Sequence, residues 1–169
     1  TVGVDEISLL DSTNHSTSRR QTIEKTVAGL SGFEILEMRE RRIRLRNLIA
    51  AKNVDVRKTT LLLRLVMLSM HRDAVSALLE GDQSLAGQVV QRDDEADKLF
   101  AMVTRHFRRS LSDLHEVEQL SQTRDELFEY YYTARQFERV ADHAVKIAEF
   151  AQDPDVTLPD GYAERIEDL

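Results

Sequence analysis

The chain contains no cysteine and no tryptophan, and it has only two prolines in 169 residues. Without cysteine there is no disulfide, no thiolate metal site and no thiol nucleophile, so cysteine usage does not set the redox compartment. Aromatic residues make up 6% of the chain and glycines number six, a profile that argues against a β-sandwich or barrel and for helices. Long hydrophobic runs are also missing. The longest, near Leu61–Met70, is interrupted by Arg64 and is too short to span a bilayer. No leader peptide is legible, and a cytoplasmic location is expected. Basic charge is in deficit: 23 Lys and Arg against 30 Asp and Glu leave a net charge of −7. General attraction to nucleic acid is therefore not expected, although a local basic patch stays open. The chain also lacks a Gly-rich phosphate loop, a nucleophile elbow and a His-Glu-x-x-His pair, so nothing points to an enzyme.

What is present is mostly helical periodicity. The first sixteen residues show no clear period, and the Ser-, Thr-, Asn- and Asp-rich stretch Ser8–Ser18 reads as a mobile N-terminal segment. Ile23, Val27 and Leu30 then recur at helical spacing from Thr17, up to the stop at Gly29 or Gly32. A strand pair follows. Phe33 and Ile35 lead into a charged turn at Arg39–Arg41, after which Ile43 and Leu45 alternate with Arg42, Arg44 and Arg46. Residues 17–48 thus form a helix–hairpin element, and Asn47–Val54 a linker. From Asp55 the pattern is helical to about residue 152. Asp55 caps a first helix, whose Leu61, Leu62, Leu65, Leu68 and Val75 are expected to face a core; Gly81 ends it and Asp82 caps the next. The second helix carries a stripe of Leu85, Val89, Ala96, Leu99, Val103, Phe107 and Leu111. Residues 113–122 are expected to turn the chain, Thr123 and Glu126 form a capping box, and a third helix runs to Pro154. Residues 153–169 are a tail in which a further helix begins near 160. The expected fold is all-α: an antiparallel three-helix bundle over 55–152 with a small N-terminal helix–β-hairpin appendage.

Two acid pairs carry the chemistry. Asp93 and Asp97 lie one turn apart in the second helix, and Glu138 and Asp142 one turn apart in the third. Each pair shares a helix face, and bundles build metal sites from carboxylates projecting inward from facing helices. The competing reading is an acidic surface neutralised by Arg92, Arg135 and Arg139. His143 follows Asp142 directly and so points elsewhere. His71, His106 and His115 have no Glu-x-x-His partner, which counts against a carboxylate-bridged di-iron enzyme. The alternating arginines offer phosphate contacts. They also suit the solvated face of an edge strand, with Glu34, Glu37 and Glu40 as cross-strand partners. Tyr130, Tyr131 and Tyr132 fan around a helix, so one is expected in the core and another exposed.

The stretch A-R-Q-F-E-R-V-A-D-H-A-V-K-I-A-E, Ala134–Glu149, resembles the third-helix motif of the PhoU family of phosphate-uptake regulators. V-V-Q-R-D-D-E-A-D-K-L-F, Val89–Phe100, resembles that family's second-helix motif. Gly32-Phe33-Glu34, following an amphipathic helix and leading into a strand pair, resembles the connector of archaeal-type PhoU-like proteins, some of which also carry an AbrB-like DNA-binding domain. The resemblance covers roughly residues 20–152. It implies a helical, non-enzymatic regulator of phosphate transport, usually built from two three-helix repeats, whose partners are the phosphate-transporter ATPase or a sensor kinase. It also implies that Asp93, Asp97, Glu138 and Asp142 match the family's metal-binding motifs, with iron or zinc as the ion. Only one repeat is legible here, so a homo-oligomer, in the simplest case a dimer, is expected to complete the surface. A DNA-binding transcription regulator is the less favoured alternative.

Overall fold

Arginine and aliphatic residues alternate strictly from Arg42 to Arg46, and in the computed structural model Arg42–Asn47 is the central strand of a three-stranded antiparallel sheet. The structure describes residues 4–12, 16–30, 32–48, 54–155 and 161. The expected N-terminal residues 1–3 and 13–15, most of the 47–54 linker and nearly all of the 153–169 tail lie outside them. The described residues form β1 (Glu6–Leu10), α1 (Thr17–Ala28), β2 (Phe33–Met38), β3 (Arg42–Asn47), α2 (Val56–Glu80), α3 (Gln83–Ser110), α4 (Leu114–Leu120) and α5 (Arg124–Gln152). The protein is mostly helical, with its small sheet near the N-terminus.

The sheet order is β1-β3-β2. Two expectations give way here. The supposedly structureless start contains β1, which pairs Ile7 with Leu45 and Leu9 with Ile43. And β3 is not an edge strand, because it is paired on both sides. The short I-S-L alternation of β1 is too brief to declare itself without a partner strand, and β3 supplies the partner. A bulge between Ile35 and Glu37 lets β2 stay in register at both ends. The inner face of the sheet buries Ile43 and Leu45 with Val27 of α1, packed by Ile7, Leu9, Ile23, Phe33, Ile35 and Met38.

Helix ends follow their capping chemistry. Asp55 Oδ1 accepts from Lys58 N at 2.9 Å and opens α2. Gly81, at φ 68°, ends it in the left-handed conformation that glycine adopts at least cost. Asp82 Oδ1 accepts from Ser84 N and Leu85 N and opens α3. Thr123 and Glu126 close a reciprocal box, Thr123 N donating to Glu126 Oε2 at 2.8 Å and Glu126 N to Thr123 Oγ1 at 3.2 Å. The segment 113–122, expected as a turn, instead holds the short helix α4, capped by Asp113 and stopped at Ser121 with φ 53°.

Two compact units emerge, and they cut across the helices. The first combines the chain through Thr60 with Lys98–Thr133; the second combines Leu61–Asp97 with the chain from Ala134. In the second unit α2 corrects the expected phase. Leu61, Leu62, Leu65 and Leu68 are exposed, and Val75 is half-buried. Leu63, Val66, Met67, Met70, Ala74 and Ala77 are buried in their place. Every position from Leu61 to Met70 except Arg64 and Ser69 is apolar, so local spacing permits either phase. The buried set is the one that continues through Ala74 and Ala77, whereas the leucine set runs into Arg72. Small buried residues, Ala86 and Ala96 on α3 and Ala134, Ala141, Ala144 and Ala148 on α5, complete the inner faces.

The phase is testable. Leu63, fully buried, loses about 2–5 kcal/mol of stability as Leu63→Ala. Leu65→Ala, at 61% exposure, costs no more than about 0.5 kcal/mol. Urea unfolding distinguishes the two, and equal costs would reject the observed phase.

Candidate functional site

All four acidic residues singled out from the sequence lie in the second unit. Asp93 and Asp97 come from α3, Glu138 and Asp142 from α5. Helical spacing places each pair on one face, and Ala96 and Ala141, both fully buried, keep that face close to the apolar interior. Asp97 is exposed; the other three are half-buried.

The two pairs act on one another electrostatically. Partial burial, then the charges of Asp97, Asp142 and Asp94, raise the Asp93 carboxyl above the ordinary aspartate value. Partial burial, then Asp142 and Asp94, raise Asp97. Glu138 is raised by partial burial and by Asp142, Asp97 and Asp93, with Arg135 opposing. Among the described residues no ion pair reaches any of the four. The expected neutralisation by Arg92 is not found: its guanidinium turns to α2 and pairs with Asp73 at 2.9 Å, also donating to Ser69 Oγ at 2.8 Å.

Crowded carboxylate oxygens suit a hard or borderline cation, because an ion relieves their mutual repulsion. The donor chemistry therefore fits a metal. The placement is less complete, since no three His, Asp or Glu side chains among the described residues are grouped to hold one ion. His143, next to Asp142 in sequence, is exposed, as are His71 and His115.

The arginine strand is matched by acids from both neighbours. Arg44 lies 3.6 Å from Glu6 and 3.4 Å from Glu37, and Arg46 lies 4.0 Å from Glu6. Glu37, one of the expected cross-strand partners, is thus in place, while Glu6 comes from the unanticipated β1. A face so compensated does not support contact with DNA. Of the three tyrosines, Tyr131 stacks on Phe107 at 4.7 Å between ring centroids, and Tyr132 is exposed.

One cluster escaped the sequence reading. In the first unit His106 and Glu116 are buried and hydrogen-bonded through His106 Nδ1. Arg109 Nε donates to the other oxygen of Glu116 at 2.8 Å and pairs in turn with Asp5. Arg105, also buried, donates to Asp5 at 2.7 Å and to the carbonyl of Val4 at 2.6 Å, with its guanidinium 5.7 Å from the centre of the Phe33 ring. The members are scattered over more than a hundred positions, so no spacing rule joins them. The one local signal was R-H-x-x-R, Arg105 to Arg109, set inside an apolar stripe.

A family model described as the PhoU domain matches residues 60–151. The matched segment carries both acid pairs and covers more than half of the chain. The chain belongs to the PhoU family. This family of phosphate-homeostasis regulators is helical and generally not enzymatic. No match was found among curated proteins or among solved structures. The PhoU match begins after the sheet and α1, so it does not account for the N-terminal elements. Among the described residues no helix is long and apolar enough to cross a membrane.

Two predictions follow from these electrostatics. Raised carboxyls disfavour the folded state at neutral pH, and the disadvantage is relieved as pH falls through their folded pKa values. Asp97→Asn is therefore expected to stabilise at pH 7, by roughly 0.5 kcal/mol after solvent screening, and to lose that advantage near pH 4. Thermal melts at the two pH values check this, and a destabilised variant would reject the repulsion. His106 is shifted the opposite way: burial lowers it below 6.5, partly offset by Glu116. Its contribution is present above pH 6.5 and lost as pH falls through its folded value. Urea unfolding from pH 8 to pH 5 should thus show a slope that His106→Asn flattens, and Glu116→Ala should cost about 3–5 kcal/mol.

Proposed function

We propose that this PhoU-family protein is a non-catalytic regulator of phosphate transport and phosphate-responsive signalling that acts by protein contact. Its partners are the ATPase of a phosphate transporter or a sensor kinase, and it works in the cytoplasm. The observation that carries this reading is the family match over residues 60–151, which contains the acidic face and leaves the sheet outside. In this reading α2, α3 and α5 form one antiparallel three-helix repeat, and a homo-oligomer supplies the second.

The acidic face is the regulatory element. A divalent or trivalent cation, iron or zinc by family resemblance, would be held by Asp93, Asp97, Glu138 and Asp142. What the chain itself contributes is a set of acids already crowded by one another, so that a cation replaces repulsion with attraction. Binding an ion there stabilises the folded protein by an amount that grows with the logarithm of one plus its concentration over its dissociation constant.

The test has two arms. Purified protein is titrated against the transporter ATPase and the sensor kinase encoded in the same genome. Binding to either is expected, and failure to bind both rejects the regulatory reading. Separately, metal content and melting temperature are measured with added zinc or iron. Saturating metal should raise the melting temperature by several degrees, about 2–4 °C per kcal/mol for a chain of this size. The rise should vanish in Asp97→Asn/Asp142→Asn, and no bound metal with no shift removes the metal from the proposal.

A further inference from the structure

A helix that is apolar on one side only is satisfied by one packing surface; α2 is apolar on two. Its inner side buries Leu63, Val66, Met67 and Met70. At 100° per residue, Leu61, Leu65 and Leu68 fall together on the opposite side, with Leu62 at its border. These leucines are 48%, 61%, 43% and 46% exposed, although each has a helical neighbour that is almost completely buried. Scattered exposed leucines are ordinary, but four in two turns make a continuous apolar strip.

The strip carries charge of one sign. Arg64 borders it and Arg72 continues its line one turn on, and neither makes an ion pair among the described residues. Between Val56 and Arg72 the helix has no acidic residue at all, in a chain whose net charge is −7. The next acid, Asp73, is occupied by Arg92. This local inversion of charge separates the candidate occupants. A second copy pairing α2 against α2 would bring arginines against arginines around the leucines. An anionic bilayer would meet the leucines and arginines but also the net acidity of the rest of the chain.

We propose that the outer face of α2, centred on Leu61, Leu65 and Leu68, is a docking surface for an amphipathic helix of a partner protein whose leucine-type anchors are flanked by acidic residues. The mode is helix-on-helix packing, with apolar anchors at i, i+3, i+4 and i+7 meeting the strip and carboxylates meeting Arg64 and Arg72. The surface is separate from the acidic face described above and does not depend on metal. An acidic helix is attracted here and repelled by Asp93, Asp97, Glu138 and Asp142, so the two faces sort partners by charge.

The full chain is titrated by fluorescence anisotropy with a synthetic peptide of about 18 residues, five helical turns. It carries leucines at i, i+3, i+4 and i+7 and glutamates on the flanks. A second peptide carries lysine in place of every glutamate. The glutamate peptide is expected to bind at least about tenfold more tightly than the lysine peptide, and Leu65→Glu to weaken it at least about tenfold. Arg64→Glu/Arg72→Glu should weaken it similarly, and affinity should fall between about 50 and about 500 mM salt. Because Leu65 is exposed, Leu65→Glu should keep its helical circular dichroism and melting temperature. Equal binding of the two peptides, or no binding of the glutamate peptide, overturns the proposal. A dimer in sedimentation velocity that Leu65→Glu dissociates overturns it in favour of a second copy. Vesicle binding at about 30% phosphatidylglycerol that Leu65→Glu abolishes overturns it in favour of a membrane.

Discussion

Arg105 is a cation buried near the C-terminal end of α3, and the groups around it in the first unit match its charge. Isolated, such a charge is prohibitively costly to remove from water. Asp5 and the carbonyl of Val4 supply oxygens from the start of the chain, and the face of the Phe33 ring lies within cation–π distance. Arg109 extends the match to Glu116, and Glu116 to His106. The network therefore positions β1, and β1 in turn makes β3 a central strand. Its replacement by apolar residues could be neutral, but removal of one member leaves another uncompensated. Local order near the N-terminus thus depends on groups far along the chain.

The second unit handles charge in the opposite way. Among the described residues no arginine lies within ion-pair distance of its four carboxylates, and three of them are shifted upward by burial and by one another. Arg92, one of the three cations expected to relieve them, is spent on Asp73 and Ser69, and Arg135 offsets only part of the Glu138 shift. The same unit carries a basic apolar strip on α2.

Much of this was legible in particular residues. Asp55, Gly81, Asp82, Thr123 and Glu126 act at helix ends as their chemistry dictates. Ile43 and Leu45 alternate with arginines and do form a strand. Both acid pairs, one turn apart in sequence, fall in one unit. Three things were not legible. The leucine run of α2 fits two helical phases, and the choice depends on the burial of Ala74 and Ala77, one and two turns beyond the run. The five residues of β1 have too little pattern to stand out from a polar segment. The His106–Glu116 pair joins a histidine with no Glu-x-x-His partner to a residue in a supposed turn.

The amino-acid sequence by itself determined helix ends, strand alternation and the one-turn spacing of the acids, because each depends on residues within four positions of one another. Tertiary structure decided which side of α2 is buried, that β1 completes the sheet, and which charges are paired. Those outcomes depend on burial and on Coulomb interactions between residues far apart in the chain, where the same local pattern admits more than one partner.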